Sequence, residues 1–322
     1  MTKRRIALIA TGGTIAGAAA SSSQTLGYQA AALQVEHLLA AVPGLDALAD
    51  LQAEQLFAID SAHITAAHWL QLSARLNAVL ADPAVDGAVV LHGTDTLEET
   101  AWFLHLTVRS DKPLVLTGAM RPATALSADG PMNLYHAVAA AAHPASVGLG
   151  TLVVFGDSLY SARGLQKRDS TPAAFDADQY GRLGLVKGSH VHLYQRPVRA
   201  HGDLPLPPTL PPVHILHAYA DLPVTQIEAA AQGAAGLVFA GLGNGNLRPD
   251  WLACLARLRQ QGIQIVRSSR VPNGTVIRDG EVADSQHGFV SGDNLPPPQA
   301  RILLQLALAA GEPDLQGCFD RH

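Results

Sequence analysis

Cysteine is nearly absent from this chain, with two in 322 residues, Cys254 and Cys318. That excludes a disulfide framework and a cysteine-rich zinc site. Aromatic residues make up 5%, so aliphatic side chains must fill most of the core. Charged residues make up 15% and the net charge is −5, which argues against a nucleic-acid partner. No apolar run approaches the ~18 residues a membrane span needs, so no membrane partner is expected. The 14 histidines form no HExxH motif. His190 with His192 and His214 with His217 are local pairs without further ligands, so neither a metal nor a cofactor is expected. The basic start, Lys3-Arg4-Arg5, is followed by only five apolar residues before a glycine turn, too few for a signal peptide. The expected location is cytoplasmic, or periplasmic for a mature form that has lost its leader.

What is abundant is aliphatic surface, glycine and proline: 48% hydrophobic residues, 29 Gly and 20 Pro. A chain of this length predicts about two domains. Short apolar runs end in glycine-rich turns and alternate with stretches of helical spacing. The expected strands are Ile6–Ala10, Gln55–Asp60, Ala88–Leu91, Pro113–Thr117 and Gly150–Phe155. Helices are expected at Val35–Ala41, Thr65–Leu80, Leu97–Val108 and Met132–Ala142. Such alternation predicts an α/β fold with a mainly parallel, helix-covered sheet. Ser158 to Gly188 reads as polar and irregular. Six prolines between Arg196 and Pro212 mark a stiff linker. The expected organisation is therefore a larger N-terminal α/β domain over 1–195, a linker over 196–212, and a smaller C-terminal α/β domain over 213–322. In the latter, Val213–His217, Gly236–Ala240 and Ile263–Arg267 are strands, and Thr225–Gln232, Pro249–Gln261 and Ala300–Ala310 are helices.

Two hydroxyl-bearing turns stand out. Thr11-Gly12-Gly13-Thr14 follows the first buried strand, and in open α/β sheets that edge is where ligands bind. His92-Gly93-Thr94-Asp95 follows the third, just before a helix whose Thr96 and Glu99 match a capping box. The segment Ala18–Gln34 is small and polar, with one aromatic at Tyr28, and reads as a mobile loop able to cover the first turn. On spacing alone, Lys167 beside Arg168 would be a solvated charge, Glu281 a hairpin residue, and Asn246 a helix-start residue. Gly241-x-Gly243-x-Gly245 between a strand and a helix resembles a dinucleotide turn but lacks its last glycine, since position 246 is Asn.

Six motifs occur in order: ATGGTIAG at 10–17, LHGTDTLEET at 91–100, TGAMRP at 117–122, SADGPMN at 127–133, GNGN at 243–246 and RSSRVP at 267–272. Together they resemble the bacterial-type L-asparaginases, over nearly the whole chain. The resemblance implies a threonine amidohydrolase acting on asparagine, often on glutamine too. It implies catalytic roles for Thr14 with Tyr28, for Thr94 and Asp95 with Lys167, and for Glu281. It implies substrate contacts from Ser61, Thr94, Asp95, Ala119 and Asn246. Asn246 and Glu281 would come from a neighbouring subunit, in a homo-oligomer that is a tetramer built from dimers with shared sites. The chemistry is consistent with these residue types: a hydroxyl needs a base near pH 7, and a tetrahedral oxyanion needs backbone donors, from the Thr94 turn or the Ala119 region. One departure is Ala62, where the family usually carries Gln or Glu after the serine.

An amidotransferase subunit of this family would carry an extra N-terminal domain, for which the first strand at Ile6 leaves no room. A non-catalytic amino-acid sensor would retain Ser61 and Asp95 but need not retain Thr14 or Lys167.

Overall fold

The computed structural model describes residues 3–24, 27, 29, 31–198 and 201–322. It divides into two compact units, Met1–Asp203 and Leu204–His322, with the boundary inside the proline-rich stretch.

The first unit is built on an eight-stranded sheet. Its parallel part comprises β1 (Arg4–Gly12), β2 (Ala49–Ile59), β3 (Gly87–Leu91), β4 (Leu114–Thr117) and β5 (Thr151–Phe155), in the order β5-β4-β3-β1-β2. Strands buried on both faces read as unbroken apolar runs, as Ile6–Ala10 and Ala88–Leu91 do. Ile6, Leu8 and Ala10 lie beside Gly87, Val89 and Leu91, so β1 and β3 end level with one another. The helices are α1 (Val35–Ala40), α2 (Leu45–Leu48), α3 (Ala66–Ala81), α4 (Leu97–Thr107) and α5 (Gly130–Ala142). One aliphatic cluster joins Ile6, Leu8, Val89, Val115, Leu134 and Leu152. Each such side chain contributes roughly 1.5–3 kcal/mol on burial.

Two expectations are corrected. The stretch 158–188 is not irregular: β6 (Ser158–Ser161), β7 (Gln166–Lys167), β8 (Phe175–Asp176) and β9 (Gly184–Lys187) lie in it, and β10 (His190–Leu193) follows. β6, β9 and β10 extend the sheet antiparallel from β5, because Leu159, Tyr160, Leu183 and Val186 supply buried faces among the polar residues. The Thr96 capping box does not form; its hydroxyl donates instead to the Ser61 carbonyl at 2.9 Å. The stretch after Thr14 makes backbone contacts where it is described. Ala18 and Gln29 form an antiparallel bridge, Ala31 N–H donates to Gly13 O, and Leu126 N–H donates to Ser22 O.

The second unit repeats the architecture on a smaller scale. Four parallel strands, β11 (Val213–His217), β12 (Gly236–Gly241), β13 (Gln264–Ser269) and β14 (Val290–Ser291), lie in chain order. They pack with α6 (Val224–Ala231), α7 (Pro249–Gln260), α8 (Asp284–His287), α9 (Pro297–Ala309) and α10 (Leu315–Arg321). Leu237, Phe239, Trp251 and Ile265 share its core. β14, α8 and α10 are too short or too polar to show a period in the sequence. Cys254 and Cys318 are buried and free. Among the described residues, no helix is long and apolar enough to cross a membrane.

The level ends of β1 and β3 let two turns interlock. Gly12 and Gly13 have φ of 108° and 81°, in the left-handed region that glycine alone enters freely. A Cβ on Gly13 would fall on the backbone of Gly93, and a Cβ on Gly93 would lie 2.5 Å from Ser61 Oγ. Gly13→Ala should therefore destabilise the protein by more than the about 1–3 kcal/mol of backbone strain alone. Thermal unfolding checks this; an unchanged midpoint would mean that the turns do not touch.

Candidate active site

Thr14 begins a short 3-10 turn, Thr14–Ala16, directly after the glycine pair and is half-buried. Thr11, the other hydroxyl of that turn, is structural: it is buried and donates to Leu91 O at 2.9 Å. Thr94 is buried in the facing turn, one residue beyond Gly93. The Gly13–Gly93 contact therefore brings together two turns whose threonines are 80 positions apart. Gly118 completes the group: a Cβ there would sit 3.3 Å from Thr94 Cγ2, and Ala119 follows, fully buried. Ser61, 3% exposed, lies under Gly93, and its Oγ accepts from the Asp95 N–H at 3.2 Å.

Lys167 enters from β7. Its Nζ donates to Thr94 Oγ1 at 2.9 Å and to Asp95 Oδ1 at 2.7 Å. Thr94, Asp95 and Lys167 are thus one hydrogen-bonded cluster, with the Asp95 side chain still 59% exposed and open to a cationic ligand group. Asp95 is engaged by this lysine as well as lying near the start of α4. Ala62 is exposed, and its N–H donates to Asp60 Oδ1 at 3.0 Å. Tyr28 lies outside the described residues. Asn246 and Glu281 belong to the second unit, where both are exposed. Among the described residues, no three His, Cys, Asp or Glu converge as a metal site requires.

The frame beneath the cluster uses residues that the motifs contain but that sequence reasoning gave no role. His92 is wholly buried, with Nδ1 2.7 Å from Gly93 O and Nε2 3.0 Å from Thr100 Oγ1. A carbonyl only accepts, so Nδ1 carries the proton. The Trp69 indole N–H donates to Thr100 Oγ1 at 2.8 Å, leaving that hydroxyl's proton for Nε2. Every group is satisfied only with His92 neutral, and burial pushes its pKa down to about 4. Asp129 accepts from the N–H groups of Met120 and Arg121, both at 2.9 Å, and Asn133 Nδ2 donates to Gly118 O at 2.9 Å. These two residues of SADGPMN therefore hold the loop of TGAMRP that carries Ala119.

Glu98 is the other residue missed. On the first turn of α4, its Oε2 accepts from the Lys167 N–H and so anchors the strand that presents the lysine. Burial pushes this carboxyl up to about 7, against the pull of the Lys167 N–H. Between about 4.5 and 7 the folded protein holds a proton here that the unfolded chain has released, so stability from this group falls as pH rises through that window. His92 acts in the opposite sense, losing stability as pH falls from about 6.5 toward about 4. Glu98→Gln keeps an acceptor oxygen and removes the titration. It should flatten the decline of the thermal midpoint toward pH 7; an identical pH profile for the variant would refute the assignment.

The two halves of the chain match two family models, "Asparaginase, N-terminal" over residues 5–199 and "Glutaminase/Asparaginase C-terminal domain" over residues 212–317. The chain is 43% identical over 310 residues to a probable periplasmic L-asparaginase of Haemophilus influenzae, covering 94% of this chain and 88% of that protein. It is 43% identical to L-asparaginase 2 of Escherichia coli, with the same two coverages. It is 40% identical to a glutaminase-asparaginase of Pseudomonas fluorescens biotype A, covering 95% of this chain and 88% of that one. The crystal structure of a probable cytoplasmic L-asparaginase from Campylobacter jejuni superposes with a TM-score of 0.94 at 39% identity, covering 99% of this chain and 100% of that one. With both models matched in order and the fold shared along its whole length, the chain belongs to the asparaginase family.

Proposed function

We propose that the protein hydrolyses L-asparagine to L-aspartate and ammonia through a threonine acyl-enzyme, and that it also accepts L-glutamine. The observation that carries this reading is the cluster of Lys167 Nζ on Thr94 Oγ1 and Asp95 Oδ1, beside the turn that holds Thr14. The relatives named L-asparaginase and glutaminase-asparaginase support both substrates. One methylene changes binding in a pocket by only ~1–3 kcal/mol, so the two amides differ little for such a site.

In this reading the Thr14 hydroxyl attacks the side-chain amide carbon and its proton is passed, with Tyr28 assisting, toward the leaving nitrogen. The C–N bond breaks, ammonia departs, and an ester to Thr14 remains. Water then adds to the ester, and aspartate leaves as the Thr14 hydroxyl is restored. Thr94 and Lys167 form the acid/base pair, which activates the water. Backbone N–H groups of the Thr94 turn and of Ala119 face the developing oxyanion. Asp95 pairs with the substrate ammonium, and the Ser61 hydroxyl donates to its α-carboxylate. Asn246 and Glu281 of a neighbouring subunit close the pocket, which makes the working form a homo-oligomer, a tetramer built from two dimers.

Ammonia release with both amides tests the reading. Thr14→Ala should lower kcat by about 10³-fold or more. Thr94→Val and Lys167→Met should each cost about 10²–10⁴-fold. Mass spectrometry of quenched Lys167→Met with asparagine should find the aspartyl ester on Thr14. An ester on Thr94 instead would exchange the two roles, and normal turnover by Thr14→Ala would end the assignment.

A further inference from the structure

The second unit encloses a complete charge pair. Arg267, on β13, and Asp284, at the start of α8, have side chains 1% and 0% exposed. The pairing is bidentate: Arg267 Nε donates to Asp284 Oδ1 at 2.7 Å and Nη2 to Oδ2 at 2.5 Å. The remaining donors go to backbone carbonyls of two separate loops. Nη1 reaches Asn244 O at 3.1 Å and Gly245 O at 3.4 Å, and Nη2 reaches Ile277 O at 2.9 Å. A guanidinium has five N–H groups, and this one uses all five. The carboxylate has a further partner, since Asp284 Oδ2 accepts from the Asp279 N–H at 3.1 Å.

These contacts fall next to two exposed residues. The carbonyls of 244 and 245 immediately precede Asn246. Ile277, Asp279 and Asp284 bracket Glu281. The first loop is closed further by the Leu242–Asn246 bridge and by Ser269 Oγ donating to Gly243 O at 2.5 Å. The second is closed by Asp279, which accepts from Ser285 N–H at 2.8 Å and Ser285 Oγ at 2.5 Å. A buried ion pair adds little stability over packed apolar residues, but it fixes geometry, because any displacement strands a charge.

We propose that Arg267 and Asp284 are positioning residues: their buried pair locks the loops 242–246 and 277–284 together so that Asn246 and Glu281 are presented as one preformed edge to the substrate pocket of a neighbouring subunit. This rests on the shared-pocket reading given above. The pair touches no substrate; it acts through the two exposed side chains.

Steady-state kinetics on Arg267→Lys, Asn246→Ala, Glu281→Ala and the double variant Arg267→Lys/Asn246→Ala test it, at a temperature where each is folded by circular dichroism. Lysine keeps the charge but cannot hold five acceptors. Arg267→Lys should raise KM about 10-fold or more, through misplacement of the edge, with a much smaller change in kcat. In the double variant the two KM increases should fall short of multiplying, because part of what Arg267→Lys removes is the Asn246 contact already lost. An unchanged KM for folded Arg267→Lys, or KM effects that multiply in the double variant, would overturn the proposal while leaving the shared pocket standing. An unchanged KM in both Asn246→Ala and Glu281→Ala would remove the shared pocket, and the proposal with it. Should Arg267→Lys fail to fold, Asp279→Ala provides an exposed substitution in the same brace. It should raise KM several-fold with only a modest fall in the thermal midpoint, and no rise would overturn the proposal.

Discussion

The first unit depends on one close approach, that of the Gly13 and Gly93 backbones at the ends of two neighbouring parallel strands. No side chain fits between them. The contact sets how far each strand runs before it turns, and so the height at which residues 14 and 94 leave the sheet. Ser61 and Gly118 pack against the same point, one touching Gly93 and the other the His92 carbonyl. Three turns from distant parts of the chain are thus held by close backbone approach, and the short Ser61 side chain packs against the same point.

Around that contact, polar groups are sorted by burial. The deepest, His92, Thr100 and Trp69, form a neutral chain in which each donor has one acceptor. A charge there would go unpaired at high cost. The charged groups, Lys167 and Asp95, lie nearer the surface, where water shares their stabilisation. Glu98 stands between these regimes, half-buried and bound to the backbone of the strand that carries the lysine. Neutral hydrogen bonds therefore build the frame, and the charges face the space where an amino-acid ligand would sit.

The second unit solves a similar problem with opposite means. Its loops are held by a fully buried charge pair rather than by interlocked glycines. The guanidinium uses all five of its donors and the carboxylate accepts three hydrogen bonds, which allows the pair to be buried at all. Both units use something inflexible beneath their sheet-edge loops, and both leave a small set of polar side chains exposed above it.

The alternation of apolar runs and helical spacing was enough to give an α/β fold with a mainly parallel sheet, because strands such as Ile6–Ala10 and Ala88–Leu91 are buried on both faces and need no partner to be recognised. The TGGT and HGTD turns were legible for a similar reason: glycine at the end of a buried strand has few other uses. Only the tertiary structure decided that Thr96 turns from its helix to Ser61, that Leu159 and Val186 draw a polar stretch into the sheet, and that Glu98, His92 and Arg267 brace the loops. Those choices depend on which groups meet across 8 to 69 positions of chain. Local periodicity records what a segment can bury, whereas a hydrogen bond between distant segments is fixed by the packing that brings them together.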